Sequence, residues 1–242
     1  MSEASVRLDF FVAHAAGVTR KQAKALIRAG RVALLDGTGQ PRAGKANTAV
    51  AAADRVLLDG QPLALPGHRY LMIHKPAGVV CATRDGTLPT VMDLLPGAER
   101  ENLRIVGRLD RDTTGLLLLT SDGDWSHRLT APRQRCAKRY RVSTAEPLSD
   151  SQARQLADGV VLKDDPRPTR PAGVQRLDSG GLLLSLEEGR YHQVKRMLAA
   201  VGNRVVALHR EAVGAIELDP ALAPGEWREL SAAEVASVGA DA

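Results

Sequence analysis

Residues 107–123 read GRLDRDTTGLLLLTSDG, and they set a carboxylate, Asp110, between two apolar runs. Residues 105–109 form a short β-type segment before the acid, and the leucines at 116–119 form a second one after a polar turn. A turn of this kind carries an acidic side chain out of a sheet while buried strands on both sides hold its position. Considered alone, an Asp in a turn most often bonds nearby backbone amides. The surrounding residues must therefore decide its role.

The composition is that of an ordinary globular protein. The chain has 242 residues, of which 44% are hydrophobic and 25% are charged. No apolar stretch approaches the roughly 20 residues that span a bilayer, and the first residues lack a secretory pattern. We therefore expect a cytoplasmic protein that does not bind membranes. Cys81 and Cys136 are far apart and are not grouped with His, which argues against a zinc site and against a disulfide scaffold.

Positive charge is concentrated in two places. The net charge is +5, and residues 1–65 hold nine Lys/Arg against five Asp/Glu. Residues 129–144 carry five further basic residues and no acid. Polyanions are the natural partners of such basic surfaces.

The N-terminal part, residues 1–60, has the pattern of a small two-helix domain. A helix is predicted over residues 6–15, and Thr19 opens a second one because Gln22 follows at capping-box spacing. Gly30 stands where a helix-ending glycine belongs. Short strands are predicted at 32–35, 56–58 and 62–63.

Residues 61–67 contain two prolines and are predicted to be a linker to a larger domain, residues 68–242. The strands predicted there are 69–75, 79–83, 105–109, 115–120, 138–144, 159–162, 181–187 and 204–208. The predicted helices are 90–95, 124–129, 149–157 and 191–201. Strands outnumber helices and do not alternate with them, which favours an α+β domain with a mixed, largely antiparallel sheet.

One motif is excluded. Residues 39–45, GQPRAGK, have the spacing of a nucleotide-binding P-loop, but Ala46 stands where a hydroxyl should bind Mg²⁺. No buried strand leads into the motif either. We therefore expect no ATP or GTP site.

A second informative run is EGRYHQVKRM at residues 188–197. The apolar residues Val194, Met197 and Leu198 have helical spacing and predict a buried stripe. Lys195 lies beside that stripe.

Together these runs resemble the motifs of the pseudouridine synthases. GNRVVALHR at 202–210 and LAPGEWR at 222–228 resemble the branch that modifies bacterial small-subunit ribosomal RNA (RsuA type), so the resemblance spans nearly the whole chain. RLD at 7–9, VTR at 18–20 and IRAGRV at 27–32 resemble the S4 RNA-binding domain.

The resemblance implies the pseudouridine synthase fold, a small S4-like α/β domain in front of it, and an isomerase that needs no metal or organic cofactor. Asp110 corresponds to the catalytic carboxylate, which either attacks the target nucleotide or removes a ribose proton. Lys195 matches a basic residue that pairs with this Asp, and Tyr140 matches the tyrosine that stacks on the uracil and can take the proton from C5. Arg108 matches an arginine that fills the space left by the flipped base.

The expected partner is ribosomal RNA, from the small subunit, either free or in an assembling particle, and the protein is expected to be a monomer. The remaining candidate RNA contacts are basic residues of both domains. They are Arg20, Lys21, Lys24, Arg28, Arg31, Lys138, Arg139, Arg190, His192 and Arg196. For Arg190, His192 and Arg196, a role as sheet-to-helix anchors is the alternative.

Other functions remain open at this stage. The chain could be a large-subunit enzyme of the same family, or a non-catalytic S4-type ribosome-binding factor. A hydrolase would use Asp110 and Asp112 as paired carboxylates, which is disfavoured because residues two apart rarely face one another. Tyr140 could be an ordinary strand tyrosine, since tyrosine is common in sheets.

Overall fold

The computed structural model describes residues 6–178 and 180–239, which fall into two units, Met1–Gly67 and His68–Ala242. The elements of the first unit are β1 (Val6–Arg7), α1 (Leu8–Ala15), α2 (Arg20–Arg28), β2 (Val32–Leu35), β3 (Pro41–Arg42), β4 (Ala49–Val50), β5 (Arg55–Leu58) and β6 (Gln61–Leu63). Four of these strands form an antiparallel sheet in the order β3-β2-β5-β6, and β1 pairs with β4.

The predicted capping box starts α2 as expected. The Thr19 hydroxyl accepts from the Gln22 amide (3.3 Å), and the Gln22 side chain accepts from the Thr19 amide (2.9 Å). Two boundaries differ from the predictions. Residues 6 and 7 pair as a strand, so the first helix begins at Leu8, and β6 places the first three residues of the predicted linker in the sheet.

The second unit is built on a sheet of nine strands. Its strands are β7 (Tyr70–Lys75), β8 (Arg104–Val106), β9 (Thr114–Thr120), β10 (Lys138–Thr144), β13 (Gly173–Arg176), β14 (Leu182–Leu186), β15 (Val205–Val213), β16 (Ile216–Glu217) and β17 (Trp227–Glu229). A separate pair is formed by β11 (Val161–Leu162) and β12 (Asp165–Pro168). The helices are α3 (Gly123–Thr130), α4 (Asp150–Asp158), α5 (Gln193–Ala200) and α6 (Ala232–Ala236).

The main path of the sheet runs β13-β14-β10-β15-β9-β7-β17, with β8 on β9 and β16 on β15. Only the β9–β15 pairing is parallel among these described strands. The predicted α+β class with a mixed, largely antiparallel sheet is therefore confirmed.

The four leucines of β9 are all buried because both faces of this central strand are covered. Leu116 and Leu118 pack with Trp125 of α3, whereas Leu117 and Leu119 contact clusters on the opposite face. Alternate residues of a strand point to opposite faces, so a continuous apolar run indicates a strand buried on both sides.

Some predicted elements of this unit were wrong. Residues 79–83 make no strand, because Val80 joins Thr90 through a single bridge instead of a ladder. The predicted helix at 90–95 is a short 3₁₀ turn, Val91–Leu94. The strands β12 and β13 were missed because their residues are polar and largely exposed, so that no apolar alternation marks them.

The parallel pairing of β9 with β15 requires glycine at position 115. Gly115 has a φ of +106°, and a Cβ built on it would lie 2.2 Å from the carbonyl oxygen and 2.6 Å from the amide nitrogen of Arg210. Both contacts involve backbone, so no side-chain movement can relieve them.

We therefore expect Gly115→Ala to lower the free energy of unfolding by at least about 2 kcal/mol, measured by denaturant titration. Gly86→Ala is the matched control, because nothing lies within 4 Å of a Cβ at that position. Equal stability of the two variants would contradict the close approach described above.

Candidate active site

Asp110 lies on the loop between β8 and β9, where the chain turns back into the sheet. Leu109 before it is buried, and the Thr113 amide donates to the Asp110 carbonyl oxygen (3.1 Å), which closes the turn. Gly107 at the start of the loop has a φ of +73°, a conformation that favours glycine. The Asp110 side chain is 27% exposed. The loop is therefore fixed by its buried neighbours while its carboxylate stays accessible.

A buried lysine supports this loop from the sheet. Lys75 at the end of β7 has no exposed surface, and its Nζ donates to the carbonyl oxygens of Pro76 (3.0 Å), Arg111 (3.2 Å) and Thr113 (2.7 Å). Burial lowers the pKa of Lys75 below its ordinary value. The three acceptors match the three donors of an ammonium group, so the carbonyls on both sides of Asp112 are held in place.

A buried arginine supports the other end of the loop. Arg210 of β15 is 4% exposed, and it donates from Nε to the carbonyl oxygen of Leu116 (2.8 Å) and from Nη1 to that of Arg108 (3.4 Å). Sequence reasoning assigned no role to Arg210 or to Lys75. The one available signal was a charged residue inside an apolar strand pattern, which indicates a buried polar anchor.

The acidic loop meets helix α5 through one ammonium group. Lys195 Nζ lies 3.0 Å from Asp110 Oδ2 and 2.6 Å from Asp112 Oδ1, and His192 Nε2 lies 3.3 Å from Asp110 Oδ1. Burial alone would lower the pKa of Lys195, but the hydrogen bonds to the two carboxylates outweigh it and raise that pKa. The hydrogen bond from Lys195 lowers the pKa of Asp112. An adjacent cation favours an ionised carboxylate.

Residues two apart were not expected to face one another, but Asp110 and Asp112 both form a salt bridge with Lys195. They nevertheless differ in burial, since the Asp112 side chain is 72% exposed and that of Asp110 is 27% exposed. The more buried carboxylate lies at the cavity described below, which distinguishes the two acids.

Helix α5 is held in place by its buried apolar stripe and by hydrogen bonds at its first residue, and this fixes the position of Lys195. Val194, Met197 and Leu198 are buried as predicted. The amide side chain of Gln193 accepts from the Arg190 amide (2.8 Å) and donates to Glu188 (2.7 Å). The predicted helix start at 191 was wrong, because residue 192 has left-handed backbone angles and α5 begins after it.

Tyr140 lies on β10 at an irregularity of the sheet. Tyr140 is paired with Leu184 of β14 and with Arg210 of β15. The register with β15 shifts between Arg139 and Tyr140. Bulges of this kind redirect a side chain at the edge of a site. The Tyr140 ring is half-buried against the core that α5 covers.

These elements enclose a cavity of ≈ 570 Å³. Its lining includes Arg108, Asp110, Tyr140, Lys195 and Arg210. A volume in this range accommodates a small organic molecule, for which sites of roughly 300–1,000 Å³ are usual. The structure thus brings the three predicted catalytic residues and the predicted base-replacing arginine to one cavity.

The predicted RNA contacts of this unit fall into two groups. Four of them line the cavity, namely the exposed Arg108, Lys138, Arg190 and His192, and burial lowers the pKa of Lys138. Arg139 instead forms salt bridges with Glu211 (3.4 Å) and Glu217 (2.8 Å) on the sheet.

Arg190 and Arg196 form hydrogen bonds with residues 163–168 of the same unit. Arg190 donates to Asp165 (2.9 Å) and to the carbonyl oxygens of Arg167 and Pro168 (both 2.7 Å). Arg196 donates to the carbonyl oxygen of Lys163. These contacts favour the anchoring alternative for both residues.

In the first unit, the basic face of α2 surrounds a buried acid that sequence reasoning did not identify. Asp9 is fully buried, and it receives salt bridges from Arg7 (3.1 Å), Arg20 (3.0 Å) and Lys24 (3.8 Å). Burial alone would raise the pKa of Asp9, but the hydrogen bonds from Arg7 and Arg20 outweigh it and lower that pKa. Arg20 and Lys24 therefore stabilise this unit.

The other three predicted contacts of the first unit lie on its surface. Arg31 pairs with Asp59, and the side chains of Lys21 and Arg28 are exposed. Surface salt bridges of this kind contribute little to stability.

Residues 6–178 and 180–239 contain no group of three or more His, Cys, Asp or Glu side chains arranged to hold a metal ion. Within the same residues, no helix is both long and apolar enough to cross a bilayer.

Comparison with known proteins identifies the family. The family model described as RNA pseudouridylate synthase matches residues 69–200. A ribosomal small subunit pseudouridine synthase A from Yersinia pestis is 48% identical over 97% of this chain and 99% of the relative. The proteins of the same name from Escherichia coli (strain K12) and Vibrio cholerae are 47% and 45% identical, each over 96% of this chain and over 100% and 99% of the relative.

A solved structure agrees with these sequence matches. A crystal structure described as a pseudouridylate synthase is 39% identical, covers 97% of this chain and 100% of its own, and superposes with a TM-score of 0.69. The matched residues 69–200 contain Asp110, Tyr140 and Lys195. The chain therefore belongs to the RNA pseudouridylate synthase family.

Proposed function

We propose that this protein converts a uridine of small-subunit ribosomal RNA to pseudouridine and that Asp110 is its catalytic carboxylate. Relatives at 43% to 48% identity, matched over nearly their full length, carry the name ribosomal small subunit pseudouridine synthase A. That name supports the small subunit over the large one as the source of the substrate.

The observation that carries the proposal is the position of Asp110 at the wall of the cavity. Its carboxylate is 27% exposed and is paired with Lys195 at 3.0 Å. Lys75 and Arg210 hold the backbone of the same loop. A charged group fixed in this way needs little reorganisation when it meets its substrate, which is the general basis of electrostatic preorganisation.

The reaction is an isomerisation that leaves the atoms of the nucleotide unchanged in number. The bond from C1′ to N1 of uracil breaks, the base turns within the site, and a bond forms from C1′ to C5. C5 loses a proton and N1 gains one. Asp110 either attacks the nucleotide or removes a ribose proton, and Lys195 keeps its carboxylate in position. Both routes need the ionised acid.

Tyr140 and Arg108 have separate roles in the proposal. The Tyr140 ring stacks on the uracil, and its phenol takes the proton from C5. Arg108 is exposed beside the cavity and occupies the space that the flipped base leaves in the RNA. Extruding a base costs roughly a few kcal/mol, and a planar guanidinium that stacks offsets part of that cost.

The first unit binds RNA in this proposal as an S4-like domain within residues 1–60, and residues 68–242 form the catalytic domain. Lys21, Arg28 and Arg31 supply its phosphate contacts. The substrate is ribosomal RNA, free or in an assembling particle, and the enzyme acts as a cytoplasmic monomer. The basic excess in residues 1–65 supports an RNA partner.

Asp110→Asn removes the charge and keeps the shape of the side chain. We expect it to lower turnover on small-subunit ribosomal RNA by at least about 100-fold, measured as tritium released from RNA labelled at uracil C5. Asp112→Asn is the control and should stay within about 5-fold of wild type, because an exposed ion pair contributes little. Free uracil among the products would instead indicate a hydrolase, and full activity of Asp110→Asn would refute the assignment.

Tyr140→Phe keeps the ring and removes the hydroxyl group. If the phenol takes the C5 proton, kcat falls by about 100-fold or more while RNA affinity in a binding assay is unchanged. An unaltered kcat would limit Tyr140 to stacking.

Lys195→Met removes the cation that holds Asp110, and Lys195→Arg retains a charge in the same place. We expect kcat to fall by about 100-fold for Met, since small misplacements of a catalytic group have effects of this size. The Arg variant should recover a large part of that loss. Equal activities of the two variants in single-turnover assays would show that the charge of Lys195 does not matter.

A further inference from the structure

The side chain of Tyr191 is more exposed than tyrosine side chains usually are in folded proteins. It is 77% exposed, the highest value among the large hydrophobic side chains of the described residues, in a chain with only 3% aromatic residues. It also lines the ≈ 570 Å³ cavity. Because burial of an aromatic ring is favourable, a ring left in water beside a site suggests a contact made only with a partner.

One face of the Tyr191 ring is covered by a neighbour that touches the proposed catalytic acid. The rings of Tyr191 and His192 are stacked with centroids 3.8 Å apart and an angle of 21° between their planes. His192 Nε2 in turn lies 3.3 Å from Asp110 Oδ1. The two rings therefore form a layer beside the carboxylate, and the second face of Tyr191 is free.

Hydrogen bonds of the neighbouring Arg190 hold the backbone that carries this layer. His192 has φ of 48° and ψ of 37°, the left-handed conformation that a non-glycine residue adopts at a cost. The preceding Arg190 is fixed by Asp165 and by two carbonyl oxygens, and the amide of Arg190 donates to Gln193. The aromatic layer is thus presented at a defined place beside the cavity.

We propose that the free face of Tyr191 stacks on a nucleobase of the substrate RNA that neighbours the target uridine. This inference rests on the proposed function and adds a second base contact to it. Tyr140 is half-buried within the cavity and is assigned to the target base, whereas Tyr191 is largely exposed to solvent. A base next in the chain to the target therefore meets Tyr191.

The chemistry of RNA suits this contact. Extruding a nucleotide removes the stacking partner of the bases beside it. An aromatic ring can replace that partner for any base, because every base has a π face. Tyr191 accordingly contributes affinity that depends little on which base is present, and its phenol group is not needed.

The test begins with three full-length variants assayed on a small-subunit ribosomal RNA transcript. Tyr191→Ala should raise KM by about 5- to 150-fold with kcat nearly unchanged, and Tyr191→Phe should keep the wild-type KM. Val161→Ala is the control for loss of an exposed apolar side chain, since Val161 is 60% exposed and does not line the cavity. A KM for Tyr191→Ala equal to that of wild type would overturn the proposal.

A second experiment identifies the base. Short RNAs around the modified uridine are made with one abasic nucleotide at each flanking position in turn. At the position that stacks on Tyr191, the abasic change should raise the KM of wild type and should not raise the KM of Tyr191→Ala any further. If the fold-changes in KM from the abasic nucleotide and from Tyr191→Ala multiply at every position, Tyr191 contacts no flanking base.

The outcomes separate this proposal from the function on which it rests. A wild-type protein that makes no pseudouridine, or an Asp110→Asn variant that makes it normally, refutes the proposed function. Normal catalysis by wild type together with an unaffected Tyr191→Ala refutes only the stacking contact.

Discussion

The salt bridge between Lys195 and Asp110 joins helix α5 to the loop ahead of β9, and the rest of the site depends on that junction. An ammonium group between two carboxylates orients the half-buried one, Asp110, and leaves the exposed one, Asp112, in solvent. His192 approaches the same carboxylate from the start of α5. Two separate parts of the chain must therefore fold correctly before Asp110 acquires its surroundings.

The loop owes its position to buried cations that bind carbonyl oxygens. Lys75 and Arg210 have almost no exposed surface, and each donates to the backbone near Asp110. Buried charges are costly unless they are hydrogen bonded, so the bonds from Lys75 and Arg210 to carbonyl oxygens favour one backbone conformation of the loop. The close approach of β9 and β15 at Gly115 places Arg210 directly beside that loop. Stability and site geometry thus share the same residues.

Sequence reasoning reached the fold class because its patterns are local, whereas the residues around the cavity were assigned through the resemblance to the pseudouridine synthases. The apolar run of β9, the capping box at Thr19 and the stripe of α5 each depend on spacing alone. Lys75 and Arg210 were missed because their partners are carbonyl oxygens, and Asp9 was missed because Arg20 and Lys24, two of its three partners, lie on the next helix. The geometry of Asp112 was misjudged because a turn can direct neighbouring acids to one cation.

The most direct test maps pseudouridines in both ribosomal RNAs of cells that lack this protein, complemented with wild type or with Asp110→Asn at equal protein levels. The account predicts that one small-subunit pseudouridine disappears, returns with wild type, and stays absent with the variant. Restoration by the variant, or no missing pseudouridine at all, would contradict it.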